Sequence, residues 1–258
     1  MIKKILTFLI IIFIFSNSKI LSYNQEDFEK AKKSMRNLSY TNLSFANLSF
    51  ANLRFVNLWG ANLWYANLHH AYLCNSVFNN ANLENSNFED ADLESANFTN
   101  TNAKKANFSN ANLFKANLSS CNLYATQFYK TNLRETNLSN TNLTAAVLIQ
   151  ADLRIANLTN ANLSWTYLKG CTLAGAIVKN ANFAHAKGLN NTQKQYLREN
   201  GAKNIPVDIE YELDNKEVGT NVKYLRLHQK FLKPFIRWYR WIKGLDKNIQ
   251  TQTDEISN

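Results

Sequence analysis

From Leu38 to Phe183 every fifth residue is large and apolar. The thirty positions of this ladder are Leu or Phe except Ala103 and Val178. Two residues before each stands a small side chain, Ala, Ser, Thr or Cys, with Arg36 and Val56 as the departures. One residue before stands Asn or Asp in twenty-three of the thirty. A period of five fits neither a helix nor a strand, since Leu residues so spaced would be smeared around a helix and would alternate faces on a strand. The pattern predicts a chain that makes one side of a coil per repeat, turns, and stacks coil on coil. No coil can bury its own apolar face alone, so the stack is a solenoid. A narrow core explains the small residue beside each large one. Asn next to it suits tight corners, where it tolerates turn conformations and bonds its own backbone. Ala103 leaves a gap that Phe98 and Phe108, its neighbours in the same coil, are placed to fill.

The repeated unit, as in Ala46-Asn47-Leu48-Ser49-Phe50 or Ala151-Asp152-Leu153-Arg154-Ile155, resembles the pentapeptide-repeat family, whose motif is A(D/N)LXX. The resemblance covers about 150 of 258 residues. It implies an all-β solenoid, a right-handed quadrilateral β-helix with four repeats per coil. Residues 36–187 would then make about seven coils, and at about 4.8 Å per layer a rod of roughly 35 Å. Residues twenty apart should stack. Glu84 then meets Lys104, Lys115 meets Glu135, His69 lies beside Glu89 and His70 beside Asp90, while Arg134 over Arg154 opposes the trend.

The flanks are different in kind. Residues 1–22 read as a secretory signal, with Lys3 and Lys4 before an eleven-residue apolar run and Ser16-Asn17-Ser18 at cleavage spacing. The rival, an uncleaved anchor, falls short of the about 20 residues that span a bilayer. An exported protein is therefore expected: periplasmic, surface-bound or secreted. Residues 23–35 carry acid first and base last, the order a helix dipole favours, and serve as an N-terminal cap. After the ladder, residues 188–203 predict a capping helix over 193–200, with Asn191 or Thr192 as its N-cap and Gly201 as its stop. Residues 204–221 form an acidic linker or edge strand, and 246–258 a polar tail. Between them, 222–245 read as a basic amphipathic helix, the second of the short C-terminal helices. Lys223, Arg226, Lys230, Lys233, Arg237, Arg240 and Lys243 recur at three- and four-residue spacing, with Trp238 and Trp241 among the apolar residues. Two readings stay open for it: a helix on an anionic membrane surface, or one packed on the solenoid with its cations outward.

Charge and chemistry narrow the function. The net charge of +10 lies largely in the two flanks, and the ladder region is only mildly basic. This disfavours both nucleic-acid binding and imitation of DNA, the means by which some pentapeptide-repeat proteins protect DNA gyrase. The chain carries no paired catalytic carboxylates or nucleophile elbow, and seven glycines leave no phosphate cradle. No enzyme activity, cofactor or metal is expected. His69, His70 and Cys74 lack a second ligand pair at recognised spacing and read as solvated or ion-paired. Three cysteines imply no disulfide framework, and Cys121 and Cys171 stand in for the small inward residue on different sides. The outward aromatics Tyr40, Phe45, Phe50, Phe55, Trp59, Trp64 and Tyr65 form a candidate partner face, unless the N-terminal segment covers them. The sequence thus points to a non-enzymatic exported scaffold. Its partners would be an unidentified protein, an anionic membrane surface or a second copy in a homodimer. The alternative is a cytosolic regulator of a nucleic-acid enzyme, of the gyrase-protecting type.

Overall fold

A computed structural model of the chain describes residues 24–32 and 36–207. The chain divides into two units, Met1–Val207 and Asp208–Asn258, and the described residues all belong to the first. The expected signal over 1–22, the linker beyond Val207, the basic stripe Lys223 to Lys243 with Trp238 and Trp241, and the tail 246–258 lie outside the described residues.

Each repeat places one residue in a parallel bridge with the residue twenty further on, from Asn37↔Asn57 to Tyr167↔Lys187. Twenty residues therefore close one coil, and four repeats supply its four sides. Each side pairs through a single residue, so the ladder is built from isolated bridges rather than long strands. Inside, the large residue of every repeat is buried, from Leu38 to Phe183, as is the small residue two before it in nearly every repeat. Where that small residue is a buried Thr, its hydroxyl finds a carbonyl, and the Cys121 thiol does the same. Thr101 Oγ1 donates to the Phe78 carbonyl at 2.7 Å, and Cys121 Sγ to that of Phe98 at 2.8 Å. These bonds offset the cost of burying a hydroxyl or thiol in the core.

Backbone accounting explains the rest of the motif. Leu38 N donates to Asn57 O, Tyr40 N to Trp59 O, Thr41 N to Leu38 O and Asn57 N to Arg36 O. Repeated around the coil, these bonds use four of the five N–H groups of each unit. The fifth, just after the large residue, is taken by the Asn side chain: Ser39 N donates to Asn37 Oδ1 at 3.2 Å and Trp59 N to Asn57 Oδ1 at 3.0 Å. Asn thus completes a backbone that would otherwise leave one donor over. Its amide also bridges coils. Asn102 Nδ2 donates to Asn82 Oδ1, Asn82 to Asn62 and Asn62 to Asn42, at 3.1–3.2 Å.

The expected backbone bonding by Asn is present, but the Asn beside the large residue does not itself hold the corner. The left-handed conformation falls three positions later, at Tyr40, Phe45, Phe50 and every fifth residue to His185, with φ of 54–63° wherever the residue is not Gly. Twenty-seven non-glycine residues hold this conformation in register, each at a cost that a neighbouring ladder of hydrogen bonds must offset.

At the middle of the rod the core is aromatic. Phe78 stacks on Phe98 at 4.6 Å, Phe88 on Phe108 at 4.9 Å, and Phe108 on Phe128 at 5.5 Å. The two columns come from opposite sides and meet edge to face, Phe98 against Phe108 at 5.9 Å. Ala103 lies on the intervening side and is buried.

Both ends of the ladder carry helices. Helix α1, Gln25–Lys32, buries Phe28 and Ala31 in the core cluster. Asp27 Oδ2 accepts from Asn42 N at 3.0 Å, and Asn24 N donates to Asn42 O at 2.9 Å, so α1 takes up open backbone groups of the first coil. Helix α2, Asn191–Glu199, starts two residues earlier than the sequence suggested. Its N-cap is Asn190, which accepts from Gln193 N at 2.8 Å while Gln193 Oε1 accepts from Asn190 N at 3.0 Å. Leu197 enters the core, Tyr196 Oη donates to Ala176 O and Gln193 Nε2 to Cys171 O. The turn into α2 requires Gly188: its φ is +85°, and a Cβ there would stand 2.6 Å from Lys169 N. Beyond α2, Gly201 takes φ +79° and Lys203 pairs with Asn182, resuming the ladder.

Candidate functional site: the edges of the first coils

The two residues after each large one form the edges of the rod, and residues twenty apart share an edge. The aromatics that looked like one face are therefore divided among all four edges. Tyr40 crosses Trp59 at 4.5 Å on the first and lies over Gly60, where a Cβ would meet its ring at 2.8 Å. Phe45 stacks on Tyr65 at 5.5 Å and crosses Trp64 at 5.0 Å on the second. Phe50 stacks on His70 at 5.0 Å on the third, and Phe55 stands on the fourth. The candidate residues Phe45, Phe50, Phe55, Trp59, Trp64 and Tyr65 thus make a girdle around the first two coils, a correction to the single patch. The physical reason is the twenty-residue coil, which turns a quarter circle with every repeat. Only Trp64 of the six is half-buried; Tyr40, Phe50 and Phe55 stay 70, 65 and 59 % exposed, so α1 does not cover them.

The next coil changes character. Glu84, Glu89, Asp90, Asp92 and Glu94 fall within eleven residues, and no Lys or Arg occurs between Arg54 and Lys104. On the third edge His69 Nδ1 and His70 Nε2 each lie 3.9 Å from Asp90 Oδ2. His69 Nδ1 is also 2.9 Å from the Glu89 carbonyl oxygen. Among the described residues this is the group of three whose donor atoms approach closely enough to share a cation. Cys74, four residues after His70, is elsewhere: its Sγ donates to Asp92 Oδ2 at 2.7 Å, and burial first, then that bond, pushes the thiol up from its ordinary value. Burial pushes Cys121 up to about 12 and Cys171 up to about 11, so neither is a nucleophile or a thiolate ligand. All three are free.

The distal coils carry cations. Lys115 pairs with Glu135 at 3.8 Å across the twenty-residue stack, and Arg134 pairs with Glu135 at 3.3 Å. The like charges of Arg134 and Arg154 are relieved by separate partners, since Arg154 turns to Asp152. The Arg154 hydrogen bond holds the Asp152 carboxyl down at about 2.

A four-sided coil of five-residue sides, with buried Leu or Phe and an amide ladder, defines a class of repeat protein, and the comparisons agree. A model of a pentapeptide repeat region matches residues 72–148, and a model of eight pentapeptide-repeat copies matches 51–90 and 156–187. The chain belongs to the pentapeptide-repeat family, whose proteins form right-handed quadrilateral β-helices and are in general non-enzymatic scaffolds. No curated protein matches it in sequence. Among solved structures it is similar to HetL of the cyanobacterium Nostoc sp. strain PCC 7120, a protein involved in heterocyst differentiation regulation. The two are 24% identical over 64% of this chain and 79% of that one, with a TM-score of 0.49. It is also similar to QnrB1, a plasmid-mediated fluoroquinolone resistance protein, at 16% identity over 59% and 84% of the chains and a TM-score of 0.45. Rfr23 from the cyanobacterium Cyanothece 51142 is 36% identical over 37% of this chain and 62% of that one, with a TM-score of 0.33.

Proposed function

We propose that this chain is an exported, non-catalytic recognition rod whose first coils dock a protein partner and whose basic C-terminal stripe holds it at an anionic membrane surface. The observation that carries the docking half is where the aromatics stand. Tyr40, Phe45, Phe50, Phe55 and Tyr65 all occupy left-handed positions, with φ of 54–61°, and all remain exposed. A bulky side chain costs about 1–2 kcal/mol in that conformation, and exposure returns little of it by burial. Aromatic rings kept there contribute to contacts outside the chain rather than to the fold. The membrane half rests on the sequence alone, on the cations from Lys223 to Lys243 and on the leader over 1–22.

The test is capture of binding partners from cell extract by the full chain and by a variant with Phe45, Phe50 and Phe55 changed to Ser. A partner held by the native chain and lost by the variant, with unchanged circular dichroism, is expected; equal capture by both overturns the docking face. Anionic-liposome sedimentation of the full chain against residues 1–221 tests the stripe, and equal binding removes it. Mass spectrometry of the mature N-terminus separates the rival. A retained Met1 in a cytosolic fraction would favour the regulator of a nucleic-acid enzyme.

A further inference from the structure

We propose that His69, His70 and Asp90 form a binding site for a divalent transition-metal ion, with Zn2+ as its occupant. The site is made by the coil and not by the local sequence. His69 and His70 are consecutive at the third edge, and one coil on, Asp90 stands directly after His70 in the stack. Its Oδ2 lies 3.9 Å from both His69 Nδ1 and His70 Nε2. Donors bound to one tetrahedral Zn2+ at about 2.0–2.1 Å sit roughly 3.4 Å apart, so each His–Asp pair needs to close by about half an ångström, and the three donor atoms already lie within 4.8 Å of one another.

The frame that holds them is rigid. His70 N donates to Glu89 O at 3.0 Å and Asp90 N to Ser109 O at 3.0 Å, so the backbone of both rungs is fixed by the ladder. The Phe50 ring stacks on His70 from the other side and limits its rotation. The Glu89 carbonyl lies 2.9 Å from His69 Nδ1. With the proton on Nδ1 this is a hydrogen bond. With the proton on Nε2 the Nδ1 lone pair is free, and because 2.9 Å leaves no room for an ion between the two atoms, the imidazole turns away from the carbonyl to coordinate. Two imidazoles and one carboxylate suit Zn2+ and leave a coordination position for water or a donor from a bound partner.

Electrostatics point the same way. The five acids between Glu84 and Glu94 lie in a stretch without Lys or Arg from residue 55 to 103, and of the five only Glu84 has a cation, Lys104, twenty residues away. The coil is thus a cation-attracting belt on a chain of net charge +10. No other pair of histidines shares an edge among the described residues; His185 instead stacks on Trp165 at 4.2 Å.

The test uses the untagged full chain and Zn2+ alone, by isothermal titration calorimetry at pH 7.5. One ion per chain is expected. His70→Ala and Asp90→Asn should each weaken binding by more than about tenfold, and Cys74→Ser should leave it unchanged. Titration with Co2+ should give the visible bands of a tetrahedral nitrogen and oxygen site, lost in His70→Ala. These side chains are half-exposed on the edge, and unaltered circular dichroism of each variant shows that the fold is kept. Absence of binding, or binding that survives both substitutions, overturns the proposal. Loss in Cys74→Ser alone would assign the ion to the thiol and overturn it as well.

Discussion

The coils of residues 36–95 and those of residues 96–187 share one interior and carry opposite exteriors. In both, Leu or Phe fills the centre, and Asn closes the backbone beside it in most repeats. Outside, the first group has the aromatic girdle and then the acidic belt, with no Lys or Arg between Arg54 and Lys104. The second has nine Lys or Arg from Lys104 to Lys187 against Glu135 and Asp152. The difference teaches that this fold separates stability from recognition by side-chain direction. Inward positions must fit a narrow bore, whereas edge positions need only tolerate a left-handed backbone. Surface chemistry can therefore change from coil to coil without touching the core.

The sharpest contrast is between Phe98 and Phe50. Phe98→Ala removes a ring stacked on Phe78 and crossed with Phe108, beside an Ala103 that cannot fill the void. It should cost about 3–5 kcal/mol, read as a large fall in melting temperature. Phe50→Ser, on an exposed edge, should move stability by no more than about 0.5 kcal/mol. Comparable losses would mean that the girdle belongs to the core.

Asn82 tests the layer common to both groups. Its Oδ1 accepts from Glu84 N and Asn102 Nδ2, both at 3.2 Å, and its Nδ2 donates to Asn62. Asn82→Ala should destabilise by about 1 kcal/mol, because water replaces part of what is lost at a half-exposed site. A neutral result in denaturant titration would show that the amide ladder is decorative.

Ile155 probes strain in the distal coils, being β-branched at φ 60° and 53 % exposed. Ile155→Asn should raise stability by about 1 kcal/mol, seen as a higher melting temperature. A fall instead would show that its side chain returns packing energy against Gly175.

The smallest effect concerns pH. Asp152 is held at about 2 against an ordinary 3.8, first by its hydrogen bond from Arg154. Its contribution is present above about pH 4 and is lost as pH falls through about 2. The melting-temperature gap between the native chain and Asp152→Asn should therefore narrow from pH 5 to pH 2. A constant gap would remove the ion pair as its source.

Much of this is legible in the sequence. The ladder announced a solenoid, and the spacing of twenty anticipated the Lys115–Glu135 and His70–Asp90 contacts. Three features are not. The Asn beside each Leu suits a corner by its turn preference, yet the left-handed residue is three positions on, where side chains vary and Asn holds eight of the twenty-seven non-glycine places from Tyr40 to His185. The aromatics from Tyr40 to Tyr65 seemed contiguous because they are close along the chain, while the coil carries them around four edges. His69 and His70 read with Cys74 along the chain, and the stack joins them to Asp90 instead.

By itself, then, the sequence determined the repeat, its inward and outward positions, the twenty-residue register and the chemistry available at each edge. Those follow from periodicity, which needs only the rule that apolar groups leave water. The tertiary structure decided which backbone position bears the left-handed strain, how the aromatics are shared among the edges, and which donors converge on one point. Dihedral angles and side-chain convergence depend on the coil above and the coil below, and a linear pattern carries neither.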